Sequence, residues 1–292
     1  MNILIGADPE VFVTDKGSKV FRSAHGLIPG SKENPFRVEC GAVQVDGMAL
    51  EFNIDPARNA DEFTRNIQMV MGQLAEMVPD YDIHCVPTAK FSKKTWDNTP
   101  KEAKIMGCDP DFNAWEDGAV NPKPNGEVDF RTAAGHIHIG WTKDMDINDA
   151  GHREACIMLT KQLDVLLGIP SLLIDKDTKR RQLYGQFGSY RVKPYGVEYR
   201  VLSNFWLKSP ELMRWVYKSV VRAFYLLTEQ CVAYELPPML RLIKAPERTT
   251  EEDVKSIVYN YGMPQAPHPT PGMKKARTHN KGLAYNVSPI DF

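Results

Sequence analysis

Apolar and polar positions alternate along several stretches of this chain, and the polar positions carry groups capable of chemistry. Side chains at i and i+2 share one face of a strand. In Gly135-His136-Ile137-His138-Ile139-Gly140 the two imidazoles therefore point one way and the two isoleucines the other. In Gly6-Ala7-Asp8-Pro9-Glu10-Val11-Phe12-Val13, Asp8 and Glu10 share a face opposite Val11 and Val13. Pro9 has no N–H for a ladder and predicts an edge strand. Ala42 to Ile54 reads as two strands meeting at the Asp46-Gly47 turn, with Glu51 and Asn53 opposite Leu50, Phe52 and Ile54. A further strand, Tyr81 to Val86, is expected. In Gly196-Val197-Glu198-Tyr199-Arg200 the same alternation unites Glu198 and Arg200.

Helical spacing takes over between these strands. A helix is predicted from about Asn59, which forms a capping box with Glu62, to Pro79; its apolar positions are Phe63, Ile67, Val70, Met71, Leu74, Met77 and Val78. A second is expected from Asp146 or Asn148 to a stop at Gly168-Ile169-Pro170. A third begins at Ser209 or Pro210, and a short acidic-capped one runs from Thr250 to about Tyr261. Pro87 to Pro124 is polar and rich in Pro, Asn, Asp and Gly, which predicts a long loop lining or covering a cleft. Inside it Gly107-Cys108-Asp109-Pro110-Asp111 echoes Gly6 to Glu10. The organisation expected is a catalytic domain over residues 1–235 and an appendage over 236–292, a lid or partner contact that includes Lys274-Lys275-Ala276-Arg277.

Composition narrows the function. The chain has 292 residues, a formal net charge of -1 and five dispersed cysteines without a Cys-x-x-Cys pair. Nothing favours a nucleic-acid surface, a disulfide framework or a zinc knuckle. Without a secretion-type leader or a long apolar span, a cytoplasmic protein is expected, in the host cytoplasm if phage-encoded. Oligomeric state is left open.

The polar strand positions form a set: Asp8, Glu10, Glu51, His136, His138, Glu198 and Arg200. Several carboxylates with a histidine make a hard-oxygen environment suited to Mg²⁺ or Mn²⁺. The arginines of Arg180-Arg181 and Tyr190-Arg191 add the planar forks that suit phosphate or carboxylate.

The chain resembles the type 2 carboxylate-amine ligases (amidoligases) of tailed bacteriophages, in the glutamine synthetase and glutamate-cysteine ligase superfamily. The resemblance spans roughly residues 1–208. It is carried by Gly-x-Asp-Pro-Glu at 6–10, Asp-Gly-x-x-x-Glu-Phe-Asn at 46–53, Gly-His-x-His-x-Gly at 135–140, and Tyr-Gly-x-x-Gly-x-Tyr-Arg with Glu-Tyr-Arg at 184–200. It implies an α+β fold in which a curved antiparallel sheet of the glutamine synthetase catalytic-domain type is covered by helices on one face.

The resemblance also implies an ATP-dependent ligase that forms an amide through an acyl phosphate. Glu10, Glu51, His138, Glu198 and Asp8 would bind Mg²⁺ or Mn²⁺, although Asp8 stands where the superfamily usually has glutamate. His136, Arg181 and Arg200 would contact ATP, and Arg191, Arg200 and Glu198 would act in catalysis. The expected partners are a small-molecule or peptide carboxylate and an amine, with a modified nucleobase among the candidates. The competing readings are a guanidino-kinase-like phosphotransferase, a zinc-dependent hydrolase built on His136 and His138, and a non-catalytic binding protein on the same scaffold.

Overall fold

The computed structural model describes residues 3–104, 111–122 and 129–267. Gly107-Cys108-Asp109-Pro110 and Lys274-Lys275-Ala276-Arg277 lie outside the described residues.

The strands are β1 (Leu4–Asp15), β2 (Phe21–Arg22), β3 (Phe36–Val38), β4 (Gly41–Asp46), β5 (Ala49–Ile54), β6 (Tyr81–His84), β7 (Thr88–Lys90), β8 (Phe112–Asn113), β9 (Ala119–Val120), β10 (Phe130–Thr132), β11 (Gly135–Gly140), β12 (Ser189–Lys193) and β13 (Gly196–Tyr199). Among the described residues, one 11-stranded sheet runs β3-β4-β5-β1-β11-β13-β12-β8-β9, with β2 and β6 also paired to β1, and β7 and β10 form a separate ribbon. The strand pairings are antiparallel. The α+β class implied by the resemblance is observed, as a large antiparallel sheet with helices.

The edge position predicted from Pro9 is not. β1 lies inside the sheet between β5 and β11. Glu10 N donates to Ala134 O on the β11 side at 2.9 Å, so the position where Pro9 lacks an N–H faces β5. There the pairing begins only at Glu10 with Glu51. No ladder bond is lost, which removes the usual objection to an interior proline.

One contiguous apolar cluster lies on a single face of the sheet. Ile5, Val11 and Val13 of β1, Ile137 and Ile139 of β11, and Val197 and Tyr199 of β13 join Phe63, Ile67, Val70, Leu159, Leu163, Val216 and Val220 from three helices. Fully burying an aliphatic side chain contributes about 1.5–3 kcal/mol, so this layer holds the strands firmly beneath the opposite, polar face. Met239, Leu242, Val254 and Val258, from beyond residue 235, join the same cluster.

Two of the three long helices and the short one at Thr250 start at the expected caps, whereas Asp149 rather than Asp146 or Asn148 caps the remaining one. Asn59 accepts from Glu62 N at 2.8 Å at the head of Ala60–Met77, although Glu62 bonds Arg58 N rather than completing the box on Asn59. Ser209 caps Pro210–Thr228, and Thr250 makes a full capping box on Glu251–Asn260. The helix Ala150–Leu163, capped by Asp149, runs past its expected stop through a π-turn at Asp164–Gly168 into Ile169–Ser171. Pro170 stands just past the π-turn that Ile169 N closes onto Asp164 O. Where a long loop was expected from Pro87, the short helices Lys93–Asn98 and Lys101–Lys104 appear. They are anchored by tertiary contact: Phe91 is buried with Phe12 and Met48 in a small cluster. No helix of the described residues is long and apolar enough to cross a membrane.

Candidate active site

Strand register aligns the polar side chains in a row across the face turned away from the helices. Gln44 pairs with Glu51, Glu51's strand partner is Glu10, Asp8 pairs with His136, His138 with Glu198, and Glu198 with Arg191. Directly opposed side chains on one sheet face are neighbours. Residues up to 190 positions apart thus reach one site by backbone pairing.

The row divides into two halves of opposite electrostatic character. On the β11–β13 side, carboxylates are matched by cations. Glu198, 1 % exposed, is bonded by Arg200, meets Lys193 Nζ at 2.8 Å and Arg191 Nη1 at 3.4 Å, and lies 3.5 Å from His136 Nδ1. Asp8 Oδ1 lies 3.0 Å from His138 Nε2 and 3.5 Å from His136 Nδ1. Burial pushes the Glu198 carboxyl up, but the Arg200 guanidinium and both imidazoles outweigh it and hold the group well below its usual range. The imidazoles, His138 first, likewise overcome burial and hold Asp8 low. The two histidines separate: burial and then Arg200 push His136 down to about 4, whereas Asp8 outweighs burial at His138 and raises it. Asp8, His138 and Glu198 each offer a ligand atom within 4.8 Å of the others, and buried Asp8 Oδ1 accepts no well-aligned hydrogen bond.

On the β4–β5 side, carboxylates crowd together. Burial first and then Asp46 push Glu10 up to about 7, even though its Oε2 accepts from Ala134 N at 2.8 Å. Burial, then the charges of Asp8, Glu10 and Asp46, raise Glu51 well above its ordinary value; the 2.8 Å bond from Gln44 Nε2 offsets only part of this. Like charges held together out of water raise one another in this way, and a cation would relieve the repulsion.

A cleft opens beside these groups, lined by Glu10, Asp46, His136, Arg131, Arg180 and Arg200 among others. The site roles implied by the resemblance went to neither Arg180 nor Asp46. Asp46 had a signal, because it shares strand parity with Gln44, the partner of Glu51. Arg180 had none, since adjacency in a helix does not tell which of two arginines turns inward. Its guanidinium donates to Val201 O at 2.7 Å and Arg200 O at 3.1 Å. Gly185, at φ 72°, leaves room for it: a Cβ there would stand 2.0 Å from Arg180 Nη1. Arg181 instead faces Asp175, with Nη2 donating to Asp175 O at 2.9 Å and Nη1 3.5 Å from Oδ2, and it does not line the cleft. Arg191 reaches the site through Glu198. The structure therefore brings Asp8, Glu10, Glu51, His136, His138, Glu198, Arg191 and Arg200 to one face and leaves Arg181 aside.

Buried carboxylates, imidazoles and guanidiniums on the open face of an antiparallel sheet define a class of site built for cations and anions together. Residues 128–233 match the family model described as phage phiEco32-like COOH.NH2 ligase-type 2. That segment is similar to the family expected from the motifs, and it carries both histidines, Arg180, Arg191, Glu198 and Arg200. Asp8, Glu10, Asp46 and Glu51 come from outside it. No curated protein matches the sequence.

Proposed function

We propose that this polar face is the active site of an ATP- and Mg²⁺-dependent carboxylate–amine ligase, on a sheet of the glutamine synthetase catalytic-domain type. The observation that carries the reading is the pairing of an acidic, cation-hungry half with an arginine-rimmed half along one cleft, within a chain matching a COOH.NH2 ligase family. The donor set fits the ion: one imidazole and several carboxylates suit Mg²⁺ or Mn²⁺ better than a histidine-rich zinc site.

In the reaction an oxygen of the substrate carboxylate bonds to the γ-phosphorus of ATP as ADP leaves. The amine nitrogen then bonds to the acyl carbon as phosphate departs, and the ammonium proton passes to a base. Asp8, His138 and Glu198, and Glu10 with Glu51, would hold divalent ions, which would supply positive charge to offset that of the phosphates. Arg200 and Arg180 supply fixed positive charge at the cleft wall, where the transferred phosphoryl group needs it. His136, kept neutral by burial and Arg200, offers a hydrogen bond to phosphate without adding charge. Arg191 and Lys193 keep Glu198 ionised and in place. The route needs no protein nucleophile, and burial pushes the thiols of Cys85 and Cys156 up to about 12, away from reactivity.

Hydroxylamine offered with ATP, Mg²⁺ and a panel of carboxylates tests the proposal. A hydroxamate formed only with ATP supports the ligase. A stable phosphorylated product would favour a phosphotransferase, and turnover without ATP would favour a hydrolase. Loss of any ATP- or Mg²⁺-dependent thermal shift would leave only a binding protein.

A further inference from the structure

His138 presents two nitrogens to two different neighbours. Nε2 faces Asp8 Oδ1 at 3.0 Å, inside the acidic cluster with Glu198. Nδ1 is hydrogen-bonded to the hydroxyl of Tyr195. Tyr195 comes from the turn between β12 and β13, and that turn is tied down over the end of β11. Its carbonyl accepts from Trp141 N at 3.0 Å and Thr142 N at 3.1 Å, and Pro194 O accepts from Met145 N at 3.0 Å. Gly140, the last residue of the His-x-His strand, lies beside it: a Cβ there would make ordinary van der Waals contact with Tyr195 O at 3.6 Å and its ring at 3.7 Å.

We infer that Tyr195 is the positioning residue that decides which nitrogen of His138 serves as a ligand: its hydroxyl oxygen accepts the Nδ1 proton and leaves the Nε2 lone pair for a divalent cation. This rests on the reading of Asp8, His138 and Glu198 as a cation site. A histidine ligand is commonly oriented through the N–H on its other nitrogen, and losing that partner costs about 10–100-fold in metal affinity. Here a phenol takes the place usual for a carboxylate or carbonyl. It orients the ring without adding a further negative charge beside Asp8 and Glu198.

The test compares Mn²⁺ binding by calorimetry in the full-length, chelator-treated protein and its Tyr195→Phe variant, together with long-range ¹H–¹⁵N spectra of the Mg²⁺-loaded wild type. The expected result is a loss of about 10–100-fold in Mn²⁺ affinity with little change in melting temperature, and a His138 ring protonated at Nδ1 and bare at Nε2. Unchanged Mn²⁺ affinity in Tyr195→Phe, or a proton on Nε2 in the Mg²⁺-loaded protein, overturns the assignment. Should the variant fold poorly, the wild-type spectrum decides alone. If the wild type itself takes up no Mn²⁺, the cation reading falls and the role of Tyr195 with it; the wild-type arm identifies that failure separately.

Discussion

Glu198 and Glu51 are the same residue type on the same face of one sheet, with β1 and β11 between their strands, yet their surroundings drive them in opposite directions. Glu198 sits under Arg200, Arg191 and Lys193 and is held ionised. Glu51 sits against Glu10, Asp8 and Asp46 and is driven toward its neutral form. Burial opposes charge at both, so the difference comes from neighbours alone. Glu198 is matched by the chain's own cations, whereas around Glu51 like charges crowd together and a cation would relieve them.

The same substitution should therefore have opposite consequences in the two halves. Glu198→Gln removes the shared partner of three cations and should cost about 3–5 kcal/mol, as for breaking a buried ion pair. In a thermal melt that is a fall of about 6 °C or more, and an unchanged melting temperature would erase the contrast. Glu51→Gln removes one charge from a crowd and should stabilise the metal-free protein by about 1 kcal/mol. It should also reduce the thermal shift on adding Mg²⁺; destabilisation in chelator would contradict this.

Titration sharpens the same comparison. Glu10 rises from an ordinary 4.5 to about 7 in the folded chain, so its contribution to stability is complete below 4.5 and is lost as pH climbs through about 7. Asp8 and Glu198 are lowered, so theirs is present above their ordinary values and is lost as pH falls. In chelator the melting temperature should decline between about pH 5 and pH 8, and Mg²⁺ should cancel the decline. A flat profile in chelator would remove the case for a crowded acidic half. The smallest effect is expected from Arg181→Ala, which breaks a pair with Asp175 outside the cleft. It should leave ATP binding intact, whereas Arg180→Ala should weaken ATP binding.

Much of this site could be read from strand parity. Alternation identified Asp8 with Glu10, His136 with His138, and Glu198 with Arg200, and the sheet places all six on one face because a side-chain period of two survives any register that keeps the isoleucines and valines buried. Other residues escaped the reading for identifiable reasons. Pro9 was misplaced because a missing N–H forbids pairing on one side only, and the register of β1 supplies the unpaired side. Arg180 was passed over for Arg181 because inward and outward arginines look alike until the carbonyls of Arg200 and Val201 are in position. Tyr195 carried no signal at all, since the turn that holds it is anchored by backbone groups of Trp141 and Thr142.

The sequence by itself determined the elements, their apolar faces and the residue types able to do chemistry, because hydrophobic period, caps and turn residues act over a few positions. Only the tertiary structure decided which of those groups became neighbours. Register across β4, β5, β1, β11, β13 and β12 set Glu51 against Glu10 and Glu198 against Arg191, and burial against Arg200 or Asp46 then set their charge. Pairing, burial and Coulomb interactions depend on distance in space, and the separation of Glu10 from Asn204, whose amide bonds the Glu10 carbonyl at 2.8 Å, has no counterpart in local sequence.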